Sequence, residues 1–163
     1  MSNLFNGIQK ILLLTSSGKN QSFIEECIVQ ADIDPCLKLC NDKKSFQEAL
    51  IDNKPDIIIA DYHMPNIYGF EILATCRNIC PEIPFIFILD QVDMRIIRET
   101  VIAEADAFVK RDKLSGLVHV LEKVWINCQL RLTLKAQQNR ILELKEKLTY
   151  IQKKYRLQSG SEN

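Results

Sequence analysis

Short apolar runs alternate with stretches of helical periodicity over the first three quarters of the chain. Ile11-Leu12-Leu13-Leu14 is an uninterrupted apolar run, the pattern of a strand buried on both faces. Thr15-Ser16-Ser17-Gly18 turns the chain, and Phe23, Ile24, Cys27 and Ile28 then recur at helical spacing. Cys36 to Cys40 alternates and predicts a second strand, and Asn41-Asp42 is placed to cap a helix carrying Phe46, Ala49 and Leu50. Pro55 precedes a third strand, Ile57 to Ala60, and Phe70, Ile72, Leu73 and Cys76 mark the next helix. Pro84 opens a fourth strand, Phe85 to Leu89; Asp93 starts a helix with Ile96, Ile97 and Val101; Ala107-Phe108-Val109 is a brief fifth strand. Asp112 is the expected N-cap of a long final helix. Alternating strands and helices with short connections predict an α/β fold: a (βα)5 doubly wound parallel sheet with right-handed crossovers. The expected strand order is 2-1-3-4-5, with the switch point between strands 1 and 3.

The final helix runs on without Gly or Pro from 117 to 158. From Leu130 its apolar residues step by four and three: Leu130, Leu134, Ile141, Leu144, Leu148, Ile151 and Tyr155, with Gln137 and Gln158 in the same register. This is a heptad a/d seam over about four heptads. Two arrangements bury it, a fold-back onto the same domain or a parallel homodimeric coiled coil, and the length of the seam favours the coil. Gln137 would cost stability and help fix register. The predicted organisation is a globular domain over 1–125, a coiled-coil extension over 126–158 and a flexible tail over 159–163.

The most specific local signal is the segment Asp61-Tyr62-His63-Met64-Pro65-Asn66-Ile67-Tyr68-Gly69. An apolar strand ends in one carboxylate, at the sheet edge where open α/β folds bind ligands. The pattern D-x-x-M-P-x-x-x-G resembles the phosphoacceptor segment of bacterial response-regulator receiver domains. The resemblance covers roughly residues 8–125 and implies the flavodoxin-like variant of the fold, with Asp61 as phosphoacceptor.

The same resemblance implies a pocket that this chain fills differently. In receivers Mg²⁺ is held by two acidic residues after the first strand, by the phosphoacceptor and by a backbone carbonyl two residues beyond it. Those positions hold Thr15 and Ser16 in place of the acids, with His63 at the carbonyl position. Hydroxyls are weak, neutral ligands for a hard dication. The Thr or Ser that ends the family's fourth strand is Leu89 here, followed by Asp90. Asp90 would repel a phosphoryl group if it faced inward, or stand in for a missing metal carboxylate. The Lys that the family carries after the fifth strand is matched by Arg111, while a one-residue slip brings in Lys110. Phe108 takes the switch-aromatic position, or simply packs on an edge strand. The expectation is a pseudo-receiver, not an enzyme, that signals through a protein partner without phosphorylation and without a cofactor. The alternative is a phosphoaccepting regulator that uses Mg²⁺ and a histidine kinase.

Composition narrows the classes further. No apolar run approaches the roughly 20 residues needed to span a bilayer. The first residues lack the basic and apolar regions of a signal peptide, so a cytoplasmic protein without membrane association is expected. The net charge of zero conceals a split: residues 1–122 carry −6 and residues 123–163 carry +6. Late lysines raise nucleic-acid binding as a further alternative, but no helix-turn-helix or stacking aromatics accompany them, and a solvated coiled-coil surface is the simpler expectation. The six cysteines form i, i+4 pairs and singletons, not C-x-x-C spacing, and are expected as buried free thiols with no metal site.

Overall fold

The computed structural model describes residues 7–31, 35–102 and 104–159. Its main sheet is parallel and contains β1 (Lys10–Leu14), β2 (Cys36–Cys40), β3 (Ile57–Asp61), β6 (Phe85–Leu89) and β7 (Ala107–Lys110), in the order β2-β1-β3-β6-β7. This is the predicted 2-1-3-4-5 order once a small hairpin, β4 (His63–Met64) and β5 (Ile67–Tyr68), is set aside. The hairpin was not expected. Pro65 and Asn66 form its turn, and Asn66 takes φ 60°, the left-handed conformation that Asn tolerates at the third position of such a turn.

Alternation along the strands divides the core into two layers. Leu12, Leu14, Ile58, Ala60, Phe85, Phe87 and Leu89 pack against α2 (Lys43–Asn53), α3 (Gly69–Ile79) and α4 (Met94–Ile102). Ile11, Leu13, Ile57, Ile59, Ile86 and Ile88 pack against α1 (Gly18–Gln30) and the start of α5 (Leu117–Ser159), through Leu117, Leu121 and Val124. Each of these Leu, Ile and Phe side chains contributes about 1.5–3 kcal/mol on burial. Asp42 caps α2 as expected, its side chain accepting from Ser45 N at 2.8 Å. Two carboxylates tie down strand starts: Asp56 accepts from Gln9 N and Lys10 N, and Asp106 accepts from Phe85 N at 2.8 Å.

Two expectations are corrected. Asp112 does not cap the final helix. It lies in a 3-10 turn, Arg111–Gly116, in which Lys113 leaves helical geometry, so α5 starts only at Leu117. Not every thiol is buried either: Cys27, Cys40, Cys76 and Cys128 are, Cys80 is half-buried, and Cys36 is exposed because β2 is an edge strand. Burial pushes the Cys76 thiol up to about 12, so it stays protonated.

The chain divides into two units at Cys128 and Gln129. In the second, every described side chain from 129 to 158 is exposed, including Leu130, Leu134, Ile141, Leu144, Leu148, Ile151 and Tyr155. The helix takes in Ser159, and the rest of the predicted tail lies outside the described residues. No helix among the described residues is long and apolar enough to cross a membrane.

Candidate functional site

Asp61 ends β3 at the C-terminal edge of the sheet and is buried, 3% exposed. A buried carboxylate needs donors, and three groups supply them. Thr15, just beyond β1, donates its hydroxyl to Asp61 Oδ2 and accepts from Ser17 N at 3.1 Å. Asn20, on the first turn of α1, donates its amide to Oδ1 at 3.1 Å and to Oδ2 at 3.2 Å. Arg111, immediately after β7, places Nη2 3.4 Å from Oδ1. The sheet order makes this convergence possible: β1 and β6 flank β3, so both neighbours end beside it.

Burial pushes the Asp61 carboxyl above its ordinary range, opposed by the Thr15 hydroxyl, the Arg111 charge and the Asn20 amide. For Arg111, burial works against the charge, but the carboxylates of Asp90 and Asp61 outweigh it and raise its pKa. Its Nε is hydrogen-bonded to Asp90 Oδ1. One guanidinium therefore bridges the ends of β3 and β6.

The remaining predicted positions fall outside this cluster. Ser16 is exposed, on the bend that follows β1. Of the two cations left open by the sequence, Lys110 pairs with Asp112 at 3.2 Å and Arg111 reaches Asp61. Leu89 is fully buried in the layer under α2 to α4, with no hydrogen-bonding group to present. Phe108 is 40% exposed and lines a separate surface depression with Val92, His119 and Val120. The His63 side chain is exposed, and its backbone pairs with Tyr68.

Sequence reasoning missed Asn20. Its signal was present: Asn20, Ile24 and Ile28 share one helical stripe, so a polar residue occupies an inward position. It also missed Tyr62, whose hydroxyl donates to Glu99 Oε2 at 2.6 Å and whose ring packs edge-on against Phe87. Burial, followed by the Glu99 contact, raises the Tyr62 hydroxyl to about 12.

Gly69 explains the last letter of the motif. A Cβ there would lie 2.7 Å from the Tyr62 ring and 2.9 Å from the Tyr62 carbonyl oxygen. The ring can shift, but the backbone beside Asp61 cannot without moving the site. Gly69→Ala is expected to destabilise by about 1–3 kcal/mol, read from urea denaturation. An unchanged midpoint would show that the close approach is not needed.

The donor set does not suit a divalent cation. A hydroxyl and an amide NH2 point their hydrogens at Asp61, and a guanidinium stands on its other side. Among the described residues no three His, Cys, Asp or Glu side chains converge as a metal site.

Comparison with known proteins gives a consistent picture of the fold. The sequence model of the response regulator receiver domain matches residues 11–122. Among solved structures, the chemotaxis response regulator CheY4 of Vibrio cholerae is 18% identical with TM-score 0.64, covering 72% of this chain and 98% of its own. A CheY-like receiver domain protein from Methanospirillum hungatei JF-1 is 11% identical with TM-score 0.69, covering 77% and 99%. A fusion carrying a trimeric coiled-coil segment of yeast Spc42 is 15% identical with TM-score 0.71, covering 88% and 96%. No curated protein matches.

Proposed function

This chain belongs to the response regulator receiver domain family, and on that premise we propose that it is a phosphorylation-independent receiver. It acts as a cytoplasmic interaction module in a signalling pathway, takes no metal, catalyses no reaction and dimerises through its C-terminal helix. The partner that delivers or receives the signal is another signalling protein, a kinase or an effector.

The observation that carries this reading is the state of Asp61. Its two oxygens already accept from Thr15 and Asn20, and Arg111 neutralises it. Phosphoryl transfer to a carboxylate requires a free oxygen to attack, with cations arranged on the phosphoryl oxygens. The positions after β1 supply a hydroxyl donor in place of acids, and Leu89 offers no hydrogen bond at the end of β6. The cluster has the character of a structural lock that joins the ends of β1, β3, β6 and β7. Dimerisation is supported by the exposure of the whole apolar seam in the second unit.

Incubation with acetyl phosphate and Mg²⁺, followed by intact-mass spectrometry, is expected to leave the protein unmodified. Resonances near Asp61 should show no saturable shift below about 5 mM Mg²⁺. A stable gain of one phosphoryl group that disappears in Asp61→Asn would instead establish a phosphoaccepting regulator.

A further inference from the structure

The seam of the C-terminal helix fixes which residues flank it. With Leu134, Ile141, Leu148 and Tyr155 at a, and Leu130, Gln137, Leu144 and Ile151 at d, the charged residues at e and g are Arg131, Arg140, Lys145, Lys147 and Lys154. All five are basic, and the other flanking positions hold Thr or Gln. The acids of this segment, Glu143 and Glu146, fall at c and f, away from the seam. Glu143 is engaged along its own helix by Arg140 at 3.2 Å.

Two copies in parallel set each g residue against the e residue five positions on in the partner. Arg140 of one copy then faces Lys145 of the other, a like-charge contact, and no flanking pair is attractive. The apolar seam favours association, while its borders oppose association with itself. We infer that the preferred occupant of this seam is a helix of another protein, with apolar a and d positions and Glu or Asp at e and g, which displaces one copy from the homodimer. Arg140, Lys147 and Lys154 then reach acids at the partner's e positions, and Arg131 and Lys145 reach acids at its g positions. Five attractive pairs replace the repulsion, and choice of partner follows from the difference. The inference rests on the seam reading above, and it names the chemistry of the signalling partner.

The test uses the full chain and three synthetic four-heptad helices. All three carry Ile at a and Leu at d, and they differ only in having Glu, Gln or Lys at e and g. Fluorescence anisotropy is read at about 50 mM and about 500 mM salt, since screening removes flank electrostatics and leaves the seam. The Glu helix is expected to bind about tenfold more tightly than the Gln helix at low salt, and to lose most of that advantage at high salt. In Lys145→Glu/Lys147→Glu, on an exposed face, the preference should move toward the Lys helix. Equal binding of the Glu and Gln helices would overturn the inference while leaving the homodimer reading intact. A Glu preference undiminished in the charge-reversed variant, which keeps three basic flank residues against two acidic ones, would also overturn it. So would displacement of the Glu helix by a duplex oligonucleotide at matched charge, since the stripe would then be a general polyanion surface. If no helix binds and the chain is monomeric, the seam reading itself fails.

Discussion

Asp106→Ala is expected to destabilise the receiver unit by about 3 kcal/mol, because it strands a largely enclosed guanidinium. Arg77, on α3, places Nη2 2.9 Å from Asp106 Oδ2, and the two side chains are only 16% and 11% exposed. The same arginine donates to Ile83 O at 2.7 Å and to Glu104 O at 2.7 Å, so it cannot swing out without breaking a network. Asp106 also accepts from Phe85 N, which opens β6. Its loss leaves a charge and a strand-initiating N–H without their acceptor. Arg77→Met should cost a similar amount, and the double variant less than the sum of the two, since removing both charges removes the penalty for an unpaired one. Urea denaturation of the four proteins tests this. Single variants within about 0.5 kcal/mol of the parent, the ordinary range for surface changes, would mean that the pair does not staple α3 to the sheet.

Ile141→Lys/Leu148→Lys is expected to convert a dimer into a monomer. Both residues occupy a positions and are about half exposed in the single chain, 53% and 58%. Pairing would bury them at the seam, and four unpartnered ammonium groups per dimer would then cost several kcal/mol in total. Sedimentation equilibrium should show the shift, while the thermal transition of the first unit stays in place, since neither side chain belongs to its core. A parental chain that is monomeric at about 100 μM, well above the Kd of a stable coil, would remove the coiled coil from the proposal. A double variant that remains dimeric would do the same.

Much of the fold was legible because it is written in local periodicity. The apolar runs at Ile11 to Leu14 and Ile57 to Ala60 have no polar alternate, the pattern of central strands, and β3 is buried throughout. βα alternation and the handedness of crossovers give the parallel sheet, and the flavodoxin-like order that the receiver resemblance implies then orders it. The seam is legible for the same reason, a repeat of 3.5 residues along one helix. Local pattern also misled. The acidic residue before the final helix suggested a cap, but the chain first makes a 3-10 turn around Lys113, an outcome set by how β7 must hand over to α5.

The site is a different matter. The sequence by itself determined that a lone carboxylate, Asp61, stands at the end of a buried strand without acids at Thr15 and Ser16. Only the tertiary structure decided what surrounds it. Thr15 and Asn20 lie 46 and 41 residues from Asp61 in the chain, and register rather than neighbouring sequence brings them together. Whether Lys110 or Arg111 reaches the carboxylate depends on one step of alternation at the end of β7. Motif counting favoured Arg111 but left a one-residue slip open, because a strand's last residue is the least certain part of its pattern. The arrangement resolves through burial: a carboxylate removed from water must collect every donor within reach, and the packed sheet fixes which donors those are.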